Sequence, residues 1–195
     1  MAKRIFSGGI SILIALMISA PHTCGAVLLS SSFFSPSTSF ACDNITGSLV
    51  ENIAYIKEKN SQKLIYKSLS EYNVKEIFCD DFNNDGKNEV AFSLWKKGNY
   101  GSSKPFWVKG NDDSYRMHFF LYKIGENSIK PLWHSSNLKS ENIKIWPIKN
   151  VKNNRTAFLT FEKNYSCNSN LDCGYNFKIW MWKSWGFELV DELLK

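Results

Sequence analysis

The chain has 195 residues, 44% hydrophobic, 22% charged and 15% aromatic, an ordinary globular composition that excludes disordered, collagen-like and multi-spanning membrane classes. Lys and Arg outnumber Asp and Glu by 24 to 18, a formal charge of +6; the basic residues are dispersed, so no nucleic-acid partner is expected. Fourteen Phe, eight Tyr and seven Trp against eleven Gly and five Pro predict an all-β chain, because flat side chains suit a pleated, half-buried surface.

Residues 1–26 open with Lys3 and Arg4, continue with the apolar run Ile10 to Ala20 and end on small residues up to Ala26. This is the order of a secretory signal peptide. Cleavage is expected after Ala26, with Ala41 as a second site, and loss of Lys3 and Arg4 leaves a mature charge of 22 − 18 = +4. A mostly apolar run of eleven residues falls short of the roughly 20 needed to span a bilayer, so the mature chain should carry no transmembrane span. The expected destination is secreted, whether periplasmic or extracellular. Removing Cys24 leaves an even set, Cys42, Cys79, Cys167 and Cys173, in a compartment that permits disulfides. Four cysteines allow three pairings. Cys167 with Cys173, closing a short loop, is favoured, and hence Cys42 with Cys79. Residues 27–48, with Pro36, Thr38, Thr46 and Gly47 among many serines, read as a flexible lead-in to a domain over 49–195.

From Glu51 onward the chain repeats itself. Ala54-Tyr55-Ile56, Asn60-Ser61 and Ile65-Tyr66-Lys67-Ser68 return sixty-seven positions later as Leu121-Tyr122-Lys123, Asn127-Ser128 and Leu132-Trp133-His134-Ser135. A shorter version is Ile179 to Lys183, a turn at Ser184-Trp185-Gly186, and Phe187 to Val190. A second unit interleaves: Asn73-Val74-Lys75 matches Asn142-Ile143-Lys144, and Ala91-Phe92 matches Ala157-Phe158. Runs of β-formers around Asn, Ser or Gly are hairpin signatures. Paired hairpins recurring every sixty-odd residues predict four-stranded, propeller-like blades, about two and a half of them, in an open or incomplete propeller. Residues 49–58, where a helix competes, are read as strand.

The strongest local signal is the turn Asp81-Phe82-Asn83-Asn84-Asp85-Gly86-Lys87-Asn88-Glu89 between two apolar runs. Oxygen-bearing side chains at alternate positions can converge on a hard cation, and Gly86 permits the sharp reversal. It is not an EF-hand, because Phe92 occupies the twelfth position, where a bidentate Glu belongs. The stretch over residues 73–98 resembles the calcium loop of FG-GAP or VCBS repeats, the blades of integrin-α-like β-propellers. That resemblance implies one Ca2+ held by Asp81, Asn83, Asp85 and Glu89 through side chains and by Lys87 through its carbonyl. The second copy, Asn150 to Arg155, has no Asp-Gly pair and should hold no ion.

No Gly-x-Ser-x-Gly, His-Glu-x-x-His or phosphate-binding loop occurs, and His118 and His134 sit beside aromatic strands as core or edge histidines. The role expected is that of a binding, recognition or accessory module of the cell envelope. Tyr100, Trp107 and Tyr165 are candidate contacts to an extracellular protein or glycan. A secreted hydrolase or hydrolase inhibitor with a structural calcium, and a subunit that completes a ring by self-association, are the alternative classes.

Overall fold

The computed structural model describes residues 37–99, 106–107, 109–110, 112–149, 155–165 and 174–194. Twelve strands, and no helix, occur among them: β1 (Ser39–Cys42), β2 (Ile45–Val50), β3 (Ile53–Glu58), β4 (Leu64–Lys67), β5 (Asn73–Asp80), β6 (Glu89–Lys97), β7 (Tyr115–Ile124), β8 (Ile129–His134), β9 (Ser140–Lys149), β10 (Thr156–Asn164), β11 (Tyr175–Lys183) and β12 (Gly186–Leu194). They form three antiparallel sheets of four strands, each made of consecutive strands: β1 to β4, β5 to β8 and β9 to β12. None closes on itself.

Local chemistry explains the hairpins. β2 and β3 are joined by Glu51 and Asn52, with φ of 49° and 64°, the two left-handed residues of a type I′ turn, whose twist matches that of the flanking strands. Residues 49–58 are thus strand and turn, as expected. Residues 39–48 correct the sequence reading: they form β1, the turn at Asp43-Asn44 and the start of β2, not a flexible lead-in, and they raise two and a half units to three complete sheets. Gly47, which suggested a loop, sits inside β2 opposite Phe40. A Cβ there would lie 2.2 Å from the Phe40 ring, so the glycine is the surface on which that ring rests.

The second sheet separates two apolar cores. On one face Val90, Phe92 and Leu94 of β6 and Phe120 and Tyr122 of β7 meet Ile45, Ala54 and Ile56 of the first sheet. On the other, Ala91, Phe119 and Leu121 meet Phe158 and Trp182 of the third. Strict alternation along β6 and β7 supplies both faces. A register shift in β5 between Val74 and Glu76 resets that alternation, so Val74 and Ile77 both face the first core while Phe78 faces the second.

Cross-sheet ties reinforce each junction. Cys42 of β1 is bonded to Cys79 of β5, the favoured pairing; Cys167 and Cys173 lie outside the described residues. Ser37 brackets Ile77, its carbonyl accepting the Ile77 N–H at 2.9 Å and its hydroxyl donating back to the Ile77 carbonyl at 2.6 Å. Between the second and third sheets, Glu76 forms a buried ion pair with Lys144 and accepts the Ile145 N–H at 3.2 Å. Burial pushes the Glu76 carboxyl upward, and Lys144 opposes that shift.

Two substitutions test these ties. Cys79→Ser should cost about 2–4 kcal/mol of unfolding free energy in urea; an unchanged midpoint would show that the bridge does not restrain the unfolded chain. Lys144→Met should cost about 3–5 kcal/mol, because it strands a buried carboxylate. The double change Glu76→Gln with Lys144→Met should cost less than the single one, and a larger loss in the double variant would refute a charge-based origin.

Candidate metal centre

The β5–β6 connection, residues 81–88, is built from its own side chains. Asp81 receives the Asp85 N–H on Oδ1 at 3.0 Å and the Gly86 N–H on Oδ2 at 2.9 Å. Asn83 Oδ1 receives the same Asp85 N–H at 2.8 Å, and Asp85 Oδ1 takes the Lys87 N–H at 3.0 Å. Short Asp and Asn side chains that cap main-chain donors a few residues ahead are what hold such a turn in place of a ladder. Gly86 has φ of +86°, a conformation that side chains resist.

This folding brings three carboxylates together. One oxygen from each of Asp81, Asp85 and Glu89 lies within 4.8 Å of the others, with the Asn83 amide bonded to Asp85 Oδ2 at 3.0 Å. Among the described residues, none of the three forms an ion pair. Glu89 is 1% exposed and accepts the N–H groups of Phe82 and Asn83 on Oε2 at 3.0 and 3.2 Å. Burial, opposed by the Asn83 N–H and reinforced by the charge of Asp85, pushes its carboxyl up to about 7. The donor set is all oxygen, clustered and negatively charged, which is the chemistry a hard divalent cation requires. Lys87 closes the loop with its amide on Asp85.

The residues between the acidic positions fix the loop to the third sheet. Phe82 is fully buried and stacks on Phe158 of β10, ring centroids 4.6 Å apart. Asn84, at φ of 60°, grips the main chain of Thr156: its Oδ1 accepts the Thr156 N–H at 2.7 Å and its Nδ2 donates to the Thr156 carbonyl at 3.3 Å. Asp80 pairs with Lys149 and accepts the Thr156 hydroxyl at 3.3 Å. At the other end, Asn88 Nδ2 reaches Asp43 Oδ1 of the first sheet at 2.9 Å. The sequence reading missed Phe82 and Asn84; their alternation with the acidic positions was the available signal, since side chains that do not face the inside of the turn must face something else.

The remaining expected contacts are dispersed. Trp107 is 68% exposed, edge-on to Phe106. Tyr165 is turned into the fold, its hydroxyl accepting the Met117 N–H at 3.1 Å while Arg116 lies over its ring. Tyr100 lies outside the described residues. His118 is fully buried with Nδ1 against the Ser135 carbonyl at 3.2 Å, and His134 stacks on Phe120. No family model matches the chain, and neither a curated protein nor a solved structure matches it.

The elevated Glu89 gives a signed pH dependence. Its folded value of about 7 exceeds the ordinary 4.5, so the folded state holds the extra proton between these values. Metal-free protein should therefore gain stability as pH falls from above 7 toward 4.5, and lose it as pH rises again. Melting in EDTA at a series of pH values should show this trend in the parent and a flatter one in Glu89→Gln. Parallel trends would mean that Glu89 is not the titrating group.

Proposed function

We propose that this chain is an exported β-repeat protein, assembled from propeller-like blades of the FG-GAP or VCBS type, that holds one structural calcium ion and acts as a binding or accessory module of the cell envelope. The observation that carries the reading is the convergence of Asp81, Asp85 and Glu89 with no ion-paired cation on any of them among the described residues. Asn83 and Lys87 complete the oxygen set in the proposed site. A calcium ion there supplies positive charge among like charges that otherwise repel. The surrounding residues then act through position: Phe82 and Asn84 stay docked on Phe158 and Thr156, so an ordered loop keeps the second sheet seated on the third.

Two features support binding rather than chemistry. The carboxylates serve main-chain donors within their own loop, and His118 and His134 are packed into the core or against an aromatic ring; the N-terminal sequence, with the order of an export signal, supports export alone. The test is the melting temperature in EDTA and in calcium, beside Asp85→Ala. Calcium at a hundredfold its Kd should add about 2.7 kcal/mol, roughly 5–10 °C for a chain of this size, and the gain should vanish in Asp85→Ala. An equal calcium response in the variant would remove the site.

A further inference from the structure

A cleft of about 450 Å3 opens between the second and third sheets, remote in sequence from the acidic loop. That volume lies in the roughly 300–1,000 Å3 range of small-molecule sites. Its floor follows from strand periodicity. Phe158 pairs with Trp180 and Thr160 with Lys178 across β10 and β11, so these four and Glu162 rise from one face of the third sheet. At one end of that face, Phe158 and Trp182 pack against the second sheet. At the other end, positions that alternation assigns to the interior hold Thr160, Glu162 and Lys178.

This polar group is connected. Glu162, 4% exposed, accepts the Thr160 hydroxyl on Oε1 at 2.7 Å, the Trp180 indole N–H on the same atom at 3.1 Å, and Lys178 Nζ on Oε2 at 3.0 Å. A buried ion pair often contributes no more stability than apolar residues of similar volume, and this one, unlike Glu76 with Lys144, lines an open cleft. Polar residues at interior positions mark sites where the fold gives way to function. The facing wall presents Trp133 and Ser135, and Trp185 stands at the mouth, 80% exposed on the β11–β12 turn.

We propose that this cleft binds a neutral saccharide of one or two rings, an assignment that names a ligand class for the binding role proposed above and rests on that role. Three properties select the class. Glu162 and Lys178 neutralise each other, so the floor attracts neither cation nor anion, and a charged ligand would have to break the pair; Lys139, which also lines the cleft, is exposed, where solvent and salt screen its charge. Lys178 retains donors beyond the one bound to Glu162, and the carboxylate retains acceptor capacity, which matches hydroxyls that both donate and accept. The indole faces carry negative π-density and suit the C–H face of a pyranose. An aliphatic ligand would satisfy the walls but leave the floor desolvated without new partners.

Calorimetric titration of the purified protein with cellobiose, lactose and N,N′-diacetylchitobiose, each at millimolar concentration and in calcium, tests the assignment. At least one should bind saturably. Trp185→Ala, on an exposed turn, should weaken that binding at least about tenfold, a change of 1.4 kcal/mol, with the melting temperature and its calcium response unchanged. Glu162→Gln should do the same to affinity, and if that buried variant fails to fold, Trp185→Ala alone decides. Absence of saturable binding by all three sugars, binding undiminished in Trp185→Ala, or binding of decanoate in their place would overturn the proposal. Sugar binding without a calcium-dependent melting shift would keep the cleft and remove the loop assignment; a calcium shift without sugar binding would do the reverse.

Discussion

The second sheet has to be apolar on both faces, and the rest of the molecule follows from that requirement. β6 and β7 are buried along most of their length, so neither neighbouring sheet can be removed without exposing one of two cores to water. Four-stranded antiparallel sheets ordinarily keep one wet face. Here the middle sheet gives up both, and the first and third sheets each keep an outer side for solvent.

Shape alone does not fix how two sheets meet, because apolar contact is non-directional. Direction comes from polar ties at the junctions: Glu76 with Lys144, Asp80 with Lys149, and Asn84 on the main chain of Thr156. Phe158 ties the regions together. Phe82 of the acidic loop stacks on it, Phe119 and Phe187 meet it edge-on, and the same side chain lines the inter-sheet cleft. Order in the loop and the shape of the cleft wall therefore share one aromatic ring.

Much of the architecture was legible because aromatic hairpins carry a strong period of two. Matched segments such as Ala91-Phe92 and Ala157-Phe158 fall on the second strand of their sheets, and the Cys42–Cys79 pairing follows the cysteine spacing. The acidic loop was legible because Asp81, Asn83 and Asp85 alternate with Phe82 and Asn84, a spacing that gathers oxygens on one side of a tight turn. The β1–β2 hairpin was hidden by composition: Ser39, Ser48 and Gly47 look like linker, and only the Phe40 ring lying on Gly47 shows why a glycine suits that strand. The cleft was hidden because it belongs to two sheets. Nothing in the sequence sets Thr160, Glu162 and Lys178 apart; it is the register that places them on the inward side of the third sheet.

The disulfide also has a mechanical meaning. Each sheet is made of consecutive strands, so tension applied to the two ends of the chain would peel hairpins one strand at a time. Cys42 and Cys79, separated by 37 residues with Cα atoms 6.1 Å apart, divert that load through sulfur. The chain between them, which includes β2, β3 and β4 and nearly all of β5, is taken out of the force path, and roughly 120 Å of extension is withheld at a full-stretch rise of about 3.5 Å per residue. An anchored molecule would keep β2, β3 and β4 out of the load while the third sheet carried it.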